Sequence, residues 1–460
     1  MATHDAGDKS GGLDASVRHE LERPQNVGIG MANSLADFNP FRSPSVTMAD
    51  AIALGTALAA ASCNGPVIRF CGGRLDAAGP GPETVPEPEQ TLDSHIESFK
   101  RQGFTQTEMI ALVACGHTLG GVRREDFPLI VDTSAENGFA NFDGTPRVFD
   151  NTVVKEYLDG TTTNPLVAGV NVTTRSDLRI FASVQNATMQ SLASADTFSK
   201  TCAALFERMI DTVPGGVKLT DPIDLVENKI GGAALFTSNG SYIFRTNLRR
   251  LSENPDRRVT LFWKERRTGR SICPAQGCSA QPQVVFNQAA TRLAKLRGQN
   301  SFPTYAKFEA QIPVNASISH FWFAVDENDG AGSGSKIVDN GGAQYRIEQD
   351  TMLFDPGRTS IVFDTEEVRF RIVVGVRDTE GEESASKVSL KYFRPGPAPT
   401  FVPIVKTVEL GPDAENTPAD GYTFYTAEIP ADVTAFDLDG VVGGQTFRQN
   451  VFKRNGAFAT

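Results

Sequence analysis

The 460-residue sequence predicts a multidomain α + β fold, a mainly α-helical half followed by an antiparallel β-sandwich-like region. Three observations carry this. Residues 105–117 and 198–209 repeat apolar side chains at helical spacing. Beyond residue 225 the hydrophobic period becomes two. Between these regions, Val213-Pro214-Gly215-Gly216 and Pro222 break any regular element. The expected organisation is therefore a helical domain over 1–215, a linker over 216–224 and a β-rich accessory region over 225–460.

In the helical half, Thr105 predicts an N-cap, and Glu108 three residues on completes a capping box. Met109, Leu112, Val113 and Gly116 mark the apolar face of this helix, and His117 falls one turn beyond Val113. An imidazole placed so can give a neutral nitrogen to a metal, and a haem iron needs one such axial ligand; the alternative, which a lone histidine favours, is a core ring hydrogen-bonded to backbone. Phe198, Cys202, Leu205, Phe206 and Met209 predict a second core-facing helix. In the β half, Val368, Phe370, Ile372, Val374 and Val376 alternate with Arg369, Arg371 and Gly375. Val388, Leu390 and Tyr392 alternate likewise, and His320–Val325 reads as another strand. Ser238-Asn239-Gly240-Ser241 is a hairpin turn between Ala233–Phe236 and Tyr242–Phe244, and the Pro- and Gly-rich stretch Arg394–Pro399 is a joint. The pattern suggests one or two sandwich modules. Asp326–Gly334 and Asp437–Gly440 read as solvated acidic loops, with calcium binding as the alternative. This half shows no nucleophile–base set and no cofactor loop.

Composition narrows the function. The net charge is −11 with no basic cluster, which argues against nucleic acid as a partner. No apolar run approaches a membrane span. The sequons at Asn171, Asn186, Asn239 and Asn315, with six cysteines, point to an oxidising, extracellular setting. Cys273 and Cys278 are spaced to close a small disulfide loop. The five histidines are far apart, so a multi-histidine metal centre has little support.

Three motifs then stand in order: Cys115-Gly116-His117-Thr118, Phe142-Asp143-Gly144-Thr145-Pro146-Arg147-Val148-Phe149-Asp150 and Thr174-Arg175-Ser176-Asp177-Leu178. Residues 1 to about 215 resemble the fungal secreted haem peroxidases, class II-like members of the plant-peroxidase superfamily. The resemblance implies a helical domain that binds haem b and reduces hydrogen peroxide. It makes His117 the axial ligand of the haem iron and Asp177 the carboxylate that accepts the ring's other N–H. It makes Thr118, Asp143, Thr145 and Asp150, with the Val148 carbonyl, a proximal Ca²⁺ site; such hard oxygen donors suit that cation. Gly12, Asp14 and Ser16 resemble a distal Ca²⁺ motif, and Ser45–Asp50 the start of the distal-side helix, which Gly65–Ile68 and Gly73–Ala77 follow.

Family members carry Arg-x-x-Phe-His-Asp on the distal helix, whereas this chain begins Met1-Ala2-Thr3-His4-Asp5. Two registers are open. In one, His4 is the distal base and Asp5 a distal calcium ligand. In the other, which the common family wording Phe-His-Asp-Met-Ala-Thr favours, Met1 follows an absent His-Asp pair and His4 is a solvated loop residue. Both lack the distal arginine, so the expectation is an N-terminally incomplete sequence, with a non-catalytic haem-binding or wall-binding protein as the alternative. The resemblance also makes Cys63 half of a disulfide whose partner would lie upstream. Trp263 and Trp322 both fall in the β half, and Arg123 stands where a manganese-oxidising type has an acid. The expected donors are therefore small phenolic-type molecules, with cell-wall polysaccharide as a further partner of the β region.

Overall fold

The computed structural model describes residues 4–83, 85–238, 241–269, 278–289, 292–296, 303–330, 334–363, 367–378 and 387–452. The chain forms two compact units. The first comprises Met1–Asp224 together with Arg292–Gly298 and Gly396–Val402; the second comprises the rest.

The first unit is helical: α1 Gly30–Phe38, α2 Met48–Ser62, α3 Leu92–Arg101, α4 Gln106–Gly116, α5 Thr152–Asp159, α6 Pro165–Ala168, α7 Ser176–Ala182, α8 Ala187–Leu192 and α9 Ala195–Ile210. Thr47 caps α2 by accepting the Asp50 N–H, and Ala53, Ala57 and Ala60 line its buried side. Small residues there let neighbours approach closely. The Phe38 ring lies where a Cβ on Gly55 would be, with Cζ 2.5 Å from that position. Fully buried Arg74 pairs with Asp50 and Asp211 and donates to the Ile210 carbonyl, pinning the segment after α2 to the end of α9.

In α4 both halves of the Thr105–Glu108 capping box are formed. The helix is buried on more than the expected face, because Ile110, Ala111 and Ala114 are enclosed along with Met109 and Leu112. Gly116, at the last position, is instead exposed. Phe198, Cys202, Leu205 and Phe206 of α9 join the same core. Two links tie α4 to α9: the Cys115–Cys202 disulfide and a 2.7 Å ion pair between Glu108 and Arg208. Arg208, with the Thr105 N–H and hydroxyl, holds the Glu108 carboxyl down at about 2. Because that pKa is depressed, the stabilisation is present above the ordinary glutamate range and is lost as pH falls towards 2. Partial exposure screens the pair, so Glu108→Ala should cost about 1 kcal/mol in urea unfolding at pH 7 and almost nothing near pH 2.

The second unit contains four antiparallel sheets around two cores. In the first pair, Ser241–Arg250 and Thr304–Pro313 face Arg258–Glu265 and Ile318–Asp326, and Phe244, Leu261, Phe308, Phe321 and Phe323 fill the interior. In the second, Val368–Arg377 and Tyr422–Pro430 face Lys387–Arg394 and Ala435–Val442 over Phe370, Ile372, Leu390 and Phe436. The alternation in Val368–Arg377 stops after Ile372, since Val373 also packs into the first core. Where the two cores meet, the Tyr242 and Tyr422 hydroxyls lie 2.6 Å apart beside Asp350, which pairs with Arg377, Arg266 and Arg267.

Two loop expectations need correction or placement. Asp437–Gly440 is the middle of strand Ala435–Val442, paired on both sides, so it cannot fold around a cation as a loop would. Asp326 ends a strand and accepts the Asn328 N–H in a turn, while residues 331–333 of that stretch lie outside the described residues. Ser238 pairs with Ser241 as the hairpin requires, although Asn239 and Gly240 lie outside the described residues. So does Cys273; Cys278 is disulfide-bonded. Cys63 and Cys71 are free. No described helix is long and apolar enough to cross a membrane.

Candidate active site

His117 is the C-cap of α4, and its N–H donates to the Val113 carbonyl at 2.9 Å. Its ring stacks on Phe142 with centroids 4.1 Å apart and planes 14° from parallel. Nδ1 lies 2.7 Å from Oδ2 of Asp177, a residue of the first turn of α7 that is 1 % exposed. Burial disfavours a charged ring, but the adjacent Asp177 carboxylate outweighs it, and the net effect raises the His117 pKa. A carboxylate only accepts, so in the neutral ring Nδ1 carries the proton and Nε2 presents its lone pair. Nε2 has no hydrogen-bond partner among the described residues, and 28 % of the side-chain surface is open. Such a nitrogen, held from behind and free in front, fits the axial position of a haem iron.

The next residue begins an oxygen-rich cluster. Thr118, fully buried, donates from Oγ1 to the Asp150 carbonyl at 2.5 Å and accepts the Asp150 N–H at 3.2 Å. Thr145 Oγ1 donates to Asp150 Oδ1 at 3.1 Å, and the Thr145 N–H reaches Asp143 Oδ1 at 2.8 Å. Val148 closes the loop by donating its N–H to the Thr145 carbonyl. Asp143 is 1 % exposed, and its Oδ2 has no hydrogen-bond partner among the described residues. Burial, then the charges of Asp150 and Glu156, push its pKa up to about 6. A buried carboxylate oxygen left without a donor is what a hard cation would satisfy, so this set fits Ca²⁺.

The N-terminal candidates form a separate group. Gly12 has φ +115°, and a Cβ there would meet the Thr212 carbonyl at 2.6 Å, so only glycine fits. Its carbonyl accepts the Asp14 N–H, Asp14 Oδ1 accepts the Ser16 N–H, and the buried Ser16 Oγ has no partner. Asp5 instead accepts the N–H groups of Gly7 and Asp8 in its own turn. His4 is not on a helix: with Asp5 it forms a two-residue strand opposite Ser10–Gly11, so the helical placement that the first register needs is not formed.

Residues 1–196 match the peroxidase family model. A WSC domain-containing protein of Arthroderma benhamiae is 39% identical over 341 residues, 72% of this chain and 46% of the relative. That similarity extends beyond the helical unit. L-ascorbate peroxidase 5, peroxisomal, of Arabidopsis thaliana is 32% identical over 167 residues, 35% of this chain and 54% of the relative. Manganese peroxidase 3 of Phlebia radiata is 34% identical over 146 residues, 30% of this chain and 38% of the relative. The chain spans about half the length of the curated relatives it matches.

Within the region that matches this family model, sequence reasoning missed two contacts. Phe142 stood in a quoted motif without a role. Asn164, fully buried, donates from Nδ2 to Asp177 Oδ2 at 2.9 Å. Asn164-Pro165 is a helix-start signal, but it announces only the capping half of that amide.

Proposed function

We propose that the helical unit holds a haem b on His117 and reduces hydrogen peroxide at the expense of small phenolic-type donors, with Ca²⁺ bound by Thr118, Asp143, Thr145, Val148 and Asp150. The single observation that supports this most is His117, with Nδ1 on Asp177 and Nε2 unpartnered among the described residues. When bound, haem supplies the redox chemistry of peroxide cleavage and one-electron donor oxidation. The chain's own contribution is to fix the ring. Asp177 holds the Nδ1 proton and makes the imidazole a stronger donor, and Phe142 sets the ring plane. A second calcium at Gly12, Asp14 and Ser16 is proposed on the orphaned Ser16 Oγ. The β unit is assigned an accessory role at cell-wall polysaccharide outside the cell; the sequons support the extracellular setting.

Purified protein titrated with haem should develop an intense near-ultraviolet absorption band at one haem per chain, then oxidise a phenol when peroxide is added. No band at any haem concentration sinks the proposal. Haem uptake without phenol oxidation would instead support the alternative reading, a haem-binding protein without peroxide turnover.

A further inference from the structure

We propose that Asn164 is a positioning residue that tempers the hold of Asp177 on His117. This rests on the haem reading of His117. Asp177 Oδ2 accepts two hydrogen bonds, from His117 Nδ1 at 2.7 Å and from Asn164 Nδ2 at 2.9 Å. The amide cannot be turned round, because Asn164 Oδ1 accepts the Leu166 N–H at 2.8 Å as the cap of α6. Pro165 fixes the first residue of that helix, and the Asn164 N–H is held by Thr162 Oγ1, so the side chain is anchored from both ends.

Two donors on one carboxylate oxygen divide its charge. Each draws electron density that the other would otherwise receive, so the Asp177–His117 bond is weaker than a lone charge-assisted bond in the same dry setting. The Nδ1 proton then stays on the ring. The imidazole gains less imidazolate character, gives less charge to an iron on Nε2, and leaves that iron easier to reduce.

The test uses the full chain loaded with haem and two variants. Asn164→Ser keeps an N-cap acceptor for Leu166 but is too short to reach Asp177. Asn164→Ala removes the cap acceptor and the donor together, so comparing it with Asn164→Ser separates the capping of Leu166 from the hydrogen bond to Asp177. In both, the ferric/ferrous potential should shift downward and the iron–imidazole stretching frequency should shift upward, at unchanged haem stoichiometry. A residue that only caps α6 would move neither. Haem-loaded variants with the wild-type potential and frequency, or with shifts of the opposite sign, overturn the inference alone. A wild-type chain that takes up no haem overturns the haem reading and this one with it.

Discussion

The His117→Ala protein is expected to show no haem band, and Asp177→Ala to bind haem about 10- to 100-fold more weakly than wild type. The second result is the more informative. Asp177→Ala leaves the ring in place on Phe142 but removes the acceptor of two buried N–H donors, His117 Nδ1 and Asn164 Nδ2. Each buried donor left unsatisfied costs about 1–3 kcal/mol, and the ring is then free to exchange tautomers. Haem titration followed by absorbance reads both effects. Asp177→Asn, which keeps an acceptor oxygen without the charge, should fall between wild type and Asp177→Ala. Equal affinity in wild type and Asp177→Ala would mean that the pair does not govern the ligand. A wild-type band in His117→Ala would place the ligand elsewhere.

What was legible in the sequence was local. The Thr105–Glu108 capping box spans three residues and forms as read. The strands around Phe370 and Leu390 follow their period because one face of each is buried. Val373 departs from it because a second core lies on the other side of its sheet, and nothing within the strand reports that. Asp437–Gly440 looked like a loop from its acidic residues and glycine. It is a strand because both neighbours supply pairing partners, and Arg448 takes the charge of Asp439. Contacts between distant residues were out of reach by periodicity alone. His117 and Asp177 stand 60 residues apart and were linked only through the resemblance. The pairing of Cys115 with Cys202, 87 residues apart, was not derivable, nor was the return of 396–402 to the helical unit.

Calcium should stabilise the protein more at pH 7.5 than at pH 5, because Asp143 releases its proton between those values. In the cation-free chain its pKa is pushed up to about 6, so the folded state holds a proton that the unfolded chain has already released. A carboxyl raised in this way gives its full contribution below the ordinary aspartate range and loses it as pH rises through about 6. Melting in a chelator should therefore fall from pH 5 to pH 7.5, by the equivalent of about 1 kcal/mol. Bound Ca²⁺ reverses the sign, since it pairs with the ionised form and satisfies Oδ2. Asp143→Asn should remove the Asp143 share of the loss, leaving that of His117, whose raised pKa acts in the same direction, and should abolish the calcium response. The consequence reaches the active site through two chain neighbours: Thr118 follows His117, and Asp143 follows Phe142, so the same cluster anchors both rings of the stack. A calcium effect of equal size at both pH values would show that no cation sits on Asp143, and a chelated protein whose melting temperature is level or rising between them would show that its carboxyl is not raised in the fold.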